Sequence, residues 1–235
     1  MPGRAPACAT GRKGAASSAA RRCIPPGEWL ASALILLSSF AALAGNEPGR
    51  FDYYVLSLSW SPHYCTRPEA RGETLQCGGR HPGFVVHGLW PQHERGAPEF
   101  CGSSQPQQVP REIVEEYLPI MPSARLIRHQ WRKHGTCSGL TQEQYFASTR
   151  RAWETFRVPG AFEDGSLLRT DRRTLLARIR DTNPDIPPDA ITLRCRGREF
   201  AEARICLSRE LQPVACSAKA RGNCPAGDLR VRPPR

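Results

Sequence analysis

Eight cysteines follow residue 44: Cys65, Cys77, Cys101, Cys137, Cys195, Cys206, Cys216 and Cys224. What they can do depends on what precedes them. Residues 1–28 carry Arg4, Arg12, Lys13, Arg21 and Arg22 with a single acid, Glu28. The apolar run WLASALILLSSFAALA (29–44) follows and closes on Ala42-Leu43-Ala44. Basic, then apolar, then small is the order of a secretory signal peptide, so residues 1–44 read as a cleaved leader. The competing reading is a retained anchor, but the run is broken by serines and short of the ~20 residues that span a bilayer. The basic region is long for a leader. An upstream start codon chosen in error would explain that, and Cys8 and Cys23 would then carry no structural meaning.

Export, to the periplasm or the medium, puts the eight cysteines in an oxidising compartment. An even number there implies four disulfides, although spacing alone allows 105 connectivities. Zinc is the competing use, but the chain has no paired CxxC. Removing residues 1–44 takes five bases and one acid from the chain's 33 and 22, leaving a net charge of +7. That excess suits a polyanionic partner, and equally a soluble basic surface.

The pattern after residue 44 mixes strands and helices without βαβ alternation. It predicts an α+β fold with a central antiparallel sheet flanked by helices. FDYYVLSLSW (51–60) alternates, so Tyr54, Leu56, Leu58 and Trp60 share one buried face. GFVVHGLW (83–90) reads as a short strand broken by Gly88, with His87 at or near its end. Residues 91–108 read as surface loop. Helices are expected over 109–118, from Ser123 to a stop at Gly135, after a Thr141/Gln144 capping box, and over 172–180. AITLRC (190–195) and ARICLS (203–208) read as strands. No repeat and no long linker divides the chain, so residues 45–235 form one domain, with a flexible Pro/Arg-rich tail.

HQWRKHGTC (129–137) packs two histidines and a lysine into a stretch with no carboxylate. On a helix, at about 100° per residue, His129, Lys133, Gln130 and His134 share an arc of roughly 140°. His87 is the further histidine in an ordered setting. Three chemistries fit. A metal site would want helix ligands three or four apart, not five, and no lysine between them. An acid–base pair of imidazoles with an ammonium beside a charged intermediate suits attack at a phosphodiester. In RNA the 2′-hydroxyl supplies the nucleophile, so no metal, serine or cysteine is required. The bland alternative is a basic helix end whose histidines do nothing.

FVVHGLWPQ (84–92) and HQWRKHGTC resemble the two active-site signatures of the ribonuclease T2 family, and FDYYVLSLSWSPHYC (51–65) resembles its opening strand. The resemblance runs from about Phe51 to Cys224. It implies the ribonuclease T2-like α+β fold, and cleavage of single-stranded RNA through a 2′,3′-cyclic phosphate with no metal and no cofactor. Residue by residue, it implies that His134 is the general base and His87 the general acid. Lys133 would stabilise the phosphorane, His129 would bind phosphate, and Trp90 would stack a base. Two positions depart from the family. Gln130 stands where Glu is usual, which implies a weaker but not absent rate. Gln92 stands where some relatives carry an acid thought to read a base, so a purine preference does not carry over; an aromatic face such as Trp90 binds any base with little discrimination, so low base specificity is expected. The resemblance also implies the pairings Cys65–Cys77, Cys101–Cys137, Cys195–Cys224 and Cys206–Cys216. A monomer, free of the membrane once the leader is removed, is the default. The rival reading is a secreted RNA-binding or signalling protein with the same fold and weakened catalysis. A metal-dependent hydrolase stands third.

Overall fold

In a computed structural model of the chain, residues 46–79, 82–164 and 166–234 are described. The leader expected over 1–44 lies outside them. Six strands form one sheet: β1 (Tyr53–Trp60), β2 (Phe84–Gln92), β3 (Arg169–Asp171), β4 (Ile191–Arg196), β5 (Glu199–Leu207) and β6 (Asp228–Arg230). Their order is β2-β1-β5-β6-β3, with β4 also paired to β5. The pairings are antiparallel except for one parallel contact between Glu199 of β5 and Arg230 of β6. The helices are α1 (Ser61–Tyr64), α2 (Thr74–Cys77), α3 (Arg111–Tyr117), α4 (Ala124–Lys133), α5 (Gln142–Glu154) and α6 (Arg172–Thr182). Among the described residues no helix is long and apolar enough to cross a membrane.

The alternation in β1 predicts one buried face, and the structure buries both. Tyr54, Leu56, Leu58 and Trp60 enter the main core, while Tyr53 and Val55 pack with Cys206 and Ala220 in a smaller cluster. The second face is covered by the chain after β5, through Val214, Cys216 and Ala220. At one end of the core Trp60, Phe84 and Phe162 pack edge to face or tilted, with the Trp60 and Phe84 centroids 4.9 Å apart, the geometry that ring quadrupoles favour.

β2 also departs from expectation. It runs unbroken through Gly88 to Gln92, and His87 sits in its middle. Leu58 pairs with Val86 and Ser57 with Gly88, so His87 has no partner on β1. It is the extra residue of a β-bulge, a device that re-aims a side chain at the cost of one ladder position.

Two caps read from the sequence are present. Ser123 Oγ accepts from Leu126 N at 3.2 Å and starts α4. Thr141 and Gln144 form the reciprocal capping box of α5. The far end of α4 differs from the sequence reading. The helix stops at Lys133, and His134 leaves helical geometry at φ −120°, ψ −42°. Gly135 then opens a tight turn to Cys137. That glycine is there for space: an added Cβ would run into the Trp131 ring.

Four disulfides staple the fold: Cys65–Cys77, Cys101–Cys137, Cys195–Cys224 and Cys206–Cys216. The tail that reads as flexible in sequence is tied down as far as Arg232. Val231 is buried, the Arg232 guanidinium grips Glu199 through two bonds of 2.8 and 2.9 Å, and its carbonyl accepts from Trp60 Nε1 at 2.8 Å.

Candidate active site

Trp90 is the hub of the site. Its ring centroid lies 5.1 Å from that of His87, edge to face, and 5.3 Å from that of His134, stacked at 29°. The bulge of β2 and the end of α4 thus bring two imidazoles, 47 residues apart in sequence, to one indole. The indole is itself fixed: its Nε1 donates to Gln130 Oε1 at 2.7 Å, and the Arg204 guanidinium lies 5.0 Å from the ring centre. The base-stacking role implied for Trp90 therefore has to share the ring with a histidine and an arginine.

Gln130, 2% exposed, uses its carbonyl oxygen to hold Trp90. The absence of a side chain at Gly88 makes this possible, since a Cβ there would overlap both Gln130 Oε1 and Trp90 Nε1.

The two imidazoles have opposite surroundings. His134 is 6% exposed and its buried Nδ1 has no partner. Burial, then the neighbouring charges of Lys133, His87 and His129, push its pKa down to about 3. It is neutral at any physiological pH. His87 is more than a third exposed at its side chain, and its Nδ1 faces the Glu202 carboxylate at 3.5 Å. Burial works against ionising Glu202, but the bond to His87 and the charge of Arg204 outweigh it and bring its pKa down to about 2. A buried anion therefore faces the first imidazole at neutral pH, and Arg204, paired to that anion, links it back to Trp90.

His129 and Lys133 sit on the last turns of α4. Burial and the charges of Lys133 and Arg132 lower the pKa of His129. Lys133 Nζ pairs with Glu99 Oε1 at 3.1 Å, and its carbonyl accepts from Phe100 N at 2.8 Å. Phe100 is held at φ +52°, a conformation costly for a non-glycine residue, next to Cys101, whose disulfide reaches Cys137. The Glu99–Cys101 loop is thereby clamped beside the ammonium. Gln92 is not drawn in: it ends β2, and its amide turns to the Pro91 carbonyl at 2.9 Å.

A cleft of about 470 Å³ opens beside the pair, lined by His87, His129, Glu202, His63, Arg67 and Arg125 among others. His134 and Lys133 do not line it. Among the described residues no cluster of three His, Cys, Asp or Glu is placed to hold a metal.

The acidless stretch 129–137 thus gets a carboxylate from elsewhere in the chain, Glu99 for Lys133, and the histidine it meets across Trp90, His87, gets Glu202. Sequence reading missed both, and Arg204 with them. The spacing Glu202-x-Arg204-x-Cys206 places all three on one face of a strand, but nothing in the sequence says that this strand lies across β1 from β2's histidine.

The chain matches the Ribonuclease T2 family over residues 51–216. Among curated relatives, a ribonuclease of Aeromonas hydrophila is 45% identical over 107 residues, 46% of this chain and 47% of that protein. A probable ribonuclease of Haemophilus influenzae is 31% identical over 187 residues, 74% of this chain and 64% of that protein. The chain therefore spans about half to under two thirds of these two relatives. The solved structure of ribonuclease MC1 from bitter gourd seeds is matched over 77% of this chain and 100% of that one, with a TM-score of 0.61 at 19% identity. It is a likeness of fold. Together with the two signature segments meeting at Trp90, these matches show that the chain belongs to the Ribonuclease T2 family.

Proposed function

We propose that the protein is an exported endoribonuclease that cleaves single-stranded RNA by transphosphorylation, without a metal and with low base specificity. Neutral His134 takes the proton of the 2′-hydroxyl. The 2′-oxygen bonds to phosphorus, and the bond from phosphorus to the 5′-oxygen breaks. His87 gives its proton to that oxygen, leaving a 2′,3′-cyclic phosphate and a 5′-hydroxyl. Water then opens the ring to a 3′-phosphate with the two roles reversed. Lys133 and His129 face the charge that builds on the phosphoryl oxygens. Glu202 holds His87 in the orientation that delivers its proton.

The observation that carries this reading is the contrast between the two imidazoles on either side of Trp90. One is buried and kept neutral, the other is partly exposed and faces a buried anion, a difference of surroundings that suits a base and an acid. Variants of ribonuclease MC1 have been solved in complex with 5′-UMP and with 5′-GMP, which fits a nucleotide-binding site. The leader read in residues 1–44 and the four disulfides support export.

Product analysis on a dinucleotide with EDTA present tests the reaction. A cyclic phosphate product is expected. Loss of activity in EDTA would favour the metal-dependent hydrolase instead. Gln130 is the one feature that favours the second reading, an RNA-binding protein with weak catalysis. Its amide satisfies the indole N–H but puts no negative charge beside Lys133 and His134. Gln130→Glu should raise turnover, and equal rates would refute a catalytic cost at this position. A His87→Phe protein that still binds RNA, compared with the activity of the parent, separates binding from cleavage.

A further inference from the structure

We propose that an arginine-lined recess at the β3–β6 edge of the sheet binds phosphates of the RNA strand that leaves the cleft on the His87 side. The proposal rests on RNA being the substrate. Arg169, Arg198 and Arg230 line a recess of about 410 Å³ whose one acidic neighbour is Asp228. All three arginines are exposed. Among the described residues none of the three forms an ion pair with a carboxylate.

The arrangement is one that folding alone does not favour. Arg169 of β3 stands directly opposite Arg230 of β6, and like charges facing each other across strands are destabilising. Arg198 is fixed to the same place by its own bonds: Nη1 donates to the Asp228 carbonyl at 2.9 Å, and its carbonyl accepts from Arg230 N at 2.8 Å. Three arginines thus line one recess against a single carboxylate, that of Asp228, and guanidinium is the side chain best matched to phosphate oxygens.

The recess also lies in line with the site. Glu202, against His87, and Arg198 belong to one stretch of chain, four residues apart, or about 13 Å at strand rise. Arg230 pairs with Glu199, between them. The cleft is lined by His87 and not by His134. Under the proposed roles, His87 serves the leaving 5′-oxygen, so the strand running this way is the one 3′ of the cut.

The test compares the parent with Arg169→Gln/Arg198→Gln/Arg230→Gln. The substrates are a dinucleotide and the same dinucleotide extended by several nucleotides on its 3′ or its 5′ side. A 3′ extension should raise kcat/KM of the parent, and the variant should lose that gain while its dinucleotide rate is unchanged. Three phosphate contacts on a single strand correspond to a salt slope of about −2, so the parent's advantage should shrink about 15–20-fold between 50 and 200 mM salt. A double variant that spares Arg198 and its backbone bonds should lose part of the same gain. Retention of the full gain in the variants, or loss of a 5′ gain instead, overturns the proposal. Anisotropy with the 3′-extended strand made uncleavable by a 2′-deoxy at the cut reads the recess separately. Weaker binding by the variants supports it even if the parent proves unable to cut the dinucleotide, a result that would sink only the nuclease reading. Binding to anionic lipid vesicles that the variants lose, with oligonucleotide binding unchanged, would assign the recess to a membrane and overturn the proposal.

Discussion

His134→Gln should change how the fold responds to acid as well as abolish cleavage. His134 has a folded pKa of about 3 against an ordinary 6.5, chiefly because it is buried. Between those values the unfolded chain binds a proton that the folded protein refuses. Stability is therefore lost as pH falls through this window. From pH 7 to pH 4 the imidazole is protonated in the unfolded chain over about 2.5 units, worth ~3 kcal/mol at 1.36 kcal/mol per unit. Glutamine does not titrate, and it forfeits no bond at Nδ1 because that atom has no partner. Urea unfolding of both proteins at pH 7 and pH 4, disulfides intact, measures the difference. The variant should lose ~3 kcal/mol less than the parent between the two pH values. Equal losses would refute the reasoning, for they would mean that the imidazole finds solvent or a partner in acid. The parent's kcat/KM should also persist as pH falls through 6.5; a collapse there would show a base with an ordinary pKa.

Three further outcomes follow from the geometry. Glu202→Gln should lower kcat ~10-fold with KM little changed, as an acid less well oriented would; because the folded pKa of Glu202, about 2, lies below its ordinary 4.5, the parent also holds ~3 kcal/mol above pH 4.5 that fades toward pH 2, and the variant's unfolding curves should lack that loss. Gly88→Ala drives a methyl group into the Trp90–Gln130 bond, so activity should fall at least 10-fold and the melting temperature should drop; an unchanged rate would show that the indole need not be held. Opening Cys101–Cys137 with a Cys101→Ser/Cys137→Ser pair releases a 36-residue loop, a cost of roughly 3–4 kcal/mol, and should cut activity through the Glu99–Lys133 contact; an unchanged melting curve would contradict this.

What the sequence made legible was local. Ser123 and the Thr141/Gln144 box signal helix starts through bonds that span three residues. The histidines and Lys133 announce themselves by clustering. The illegible part was long-range. The second face of β1 is covered by Val214, Cys216 and Ala220, more than 150 residues further along the chain. His134 falls out of the helical arc because Gly135 must pack on Trp131, a contact no periodicity encodes. Glu202 is an ordinary strand residue until the register of β5 against β1 sets it beside His87. Charge partners supplied across a sheet are invisible to spacing.

The bulge at His87 also fixes how β2 can change. Before it, Phe84 and Val86 point into the core; after it, Leu89 does. The strand is two half-strands in opposite phase, joined at one unpaired residue. Deleting any single residue between 85 and 88 would restore strict alternation with Leu89 still inward and Trp90 outward, and would abolish the extra position at which His87 stands. No point substitution elsewhere restores a lost ladder position, so the length of residues 84–92 is as constrained as the identity of His87 and Gly88 within them.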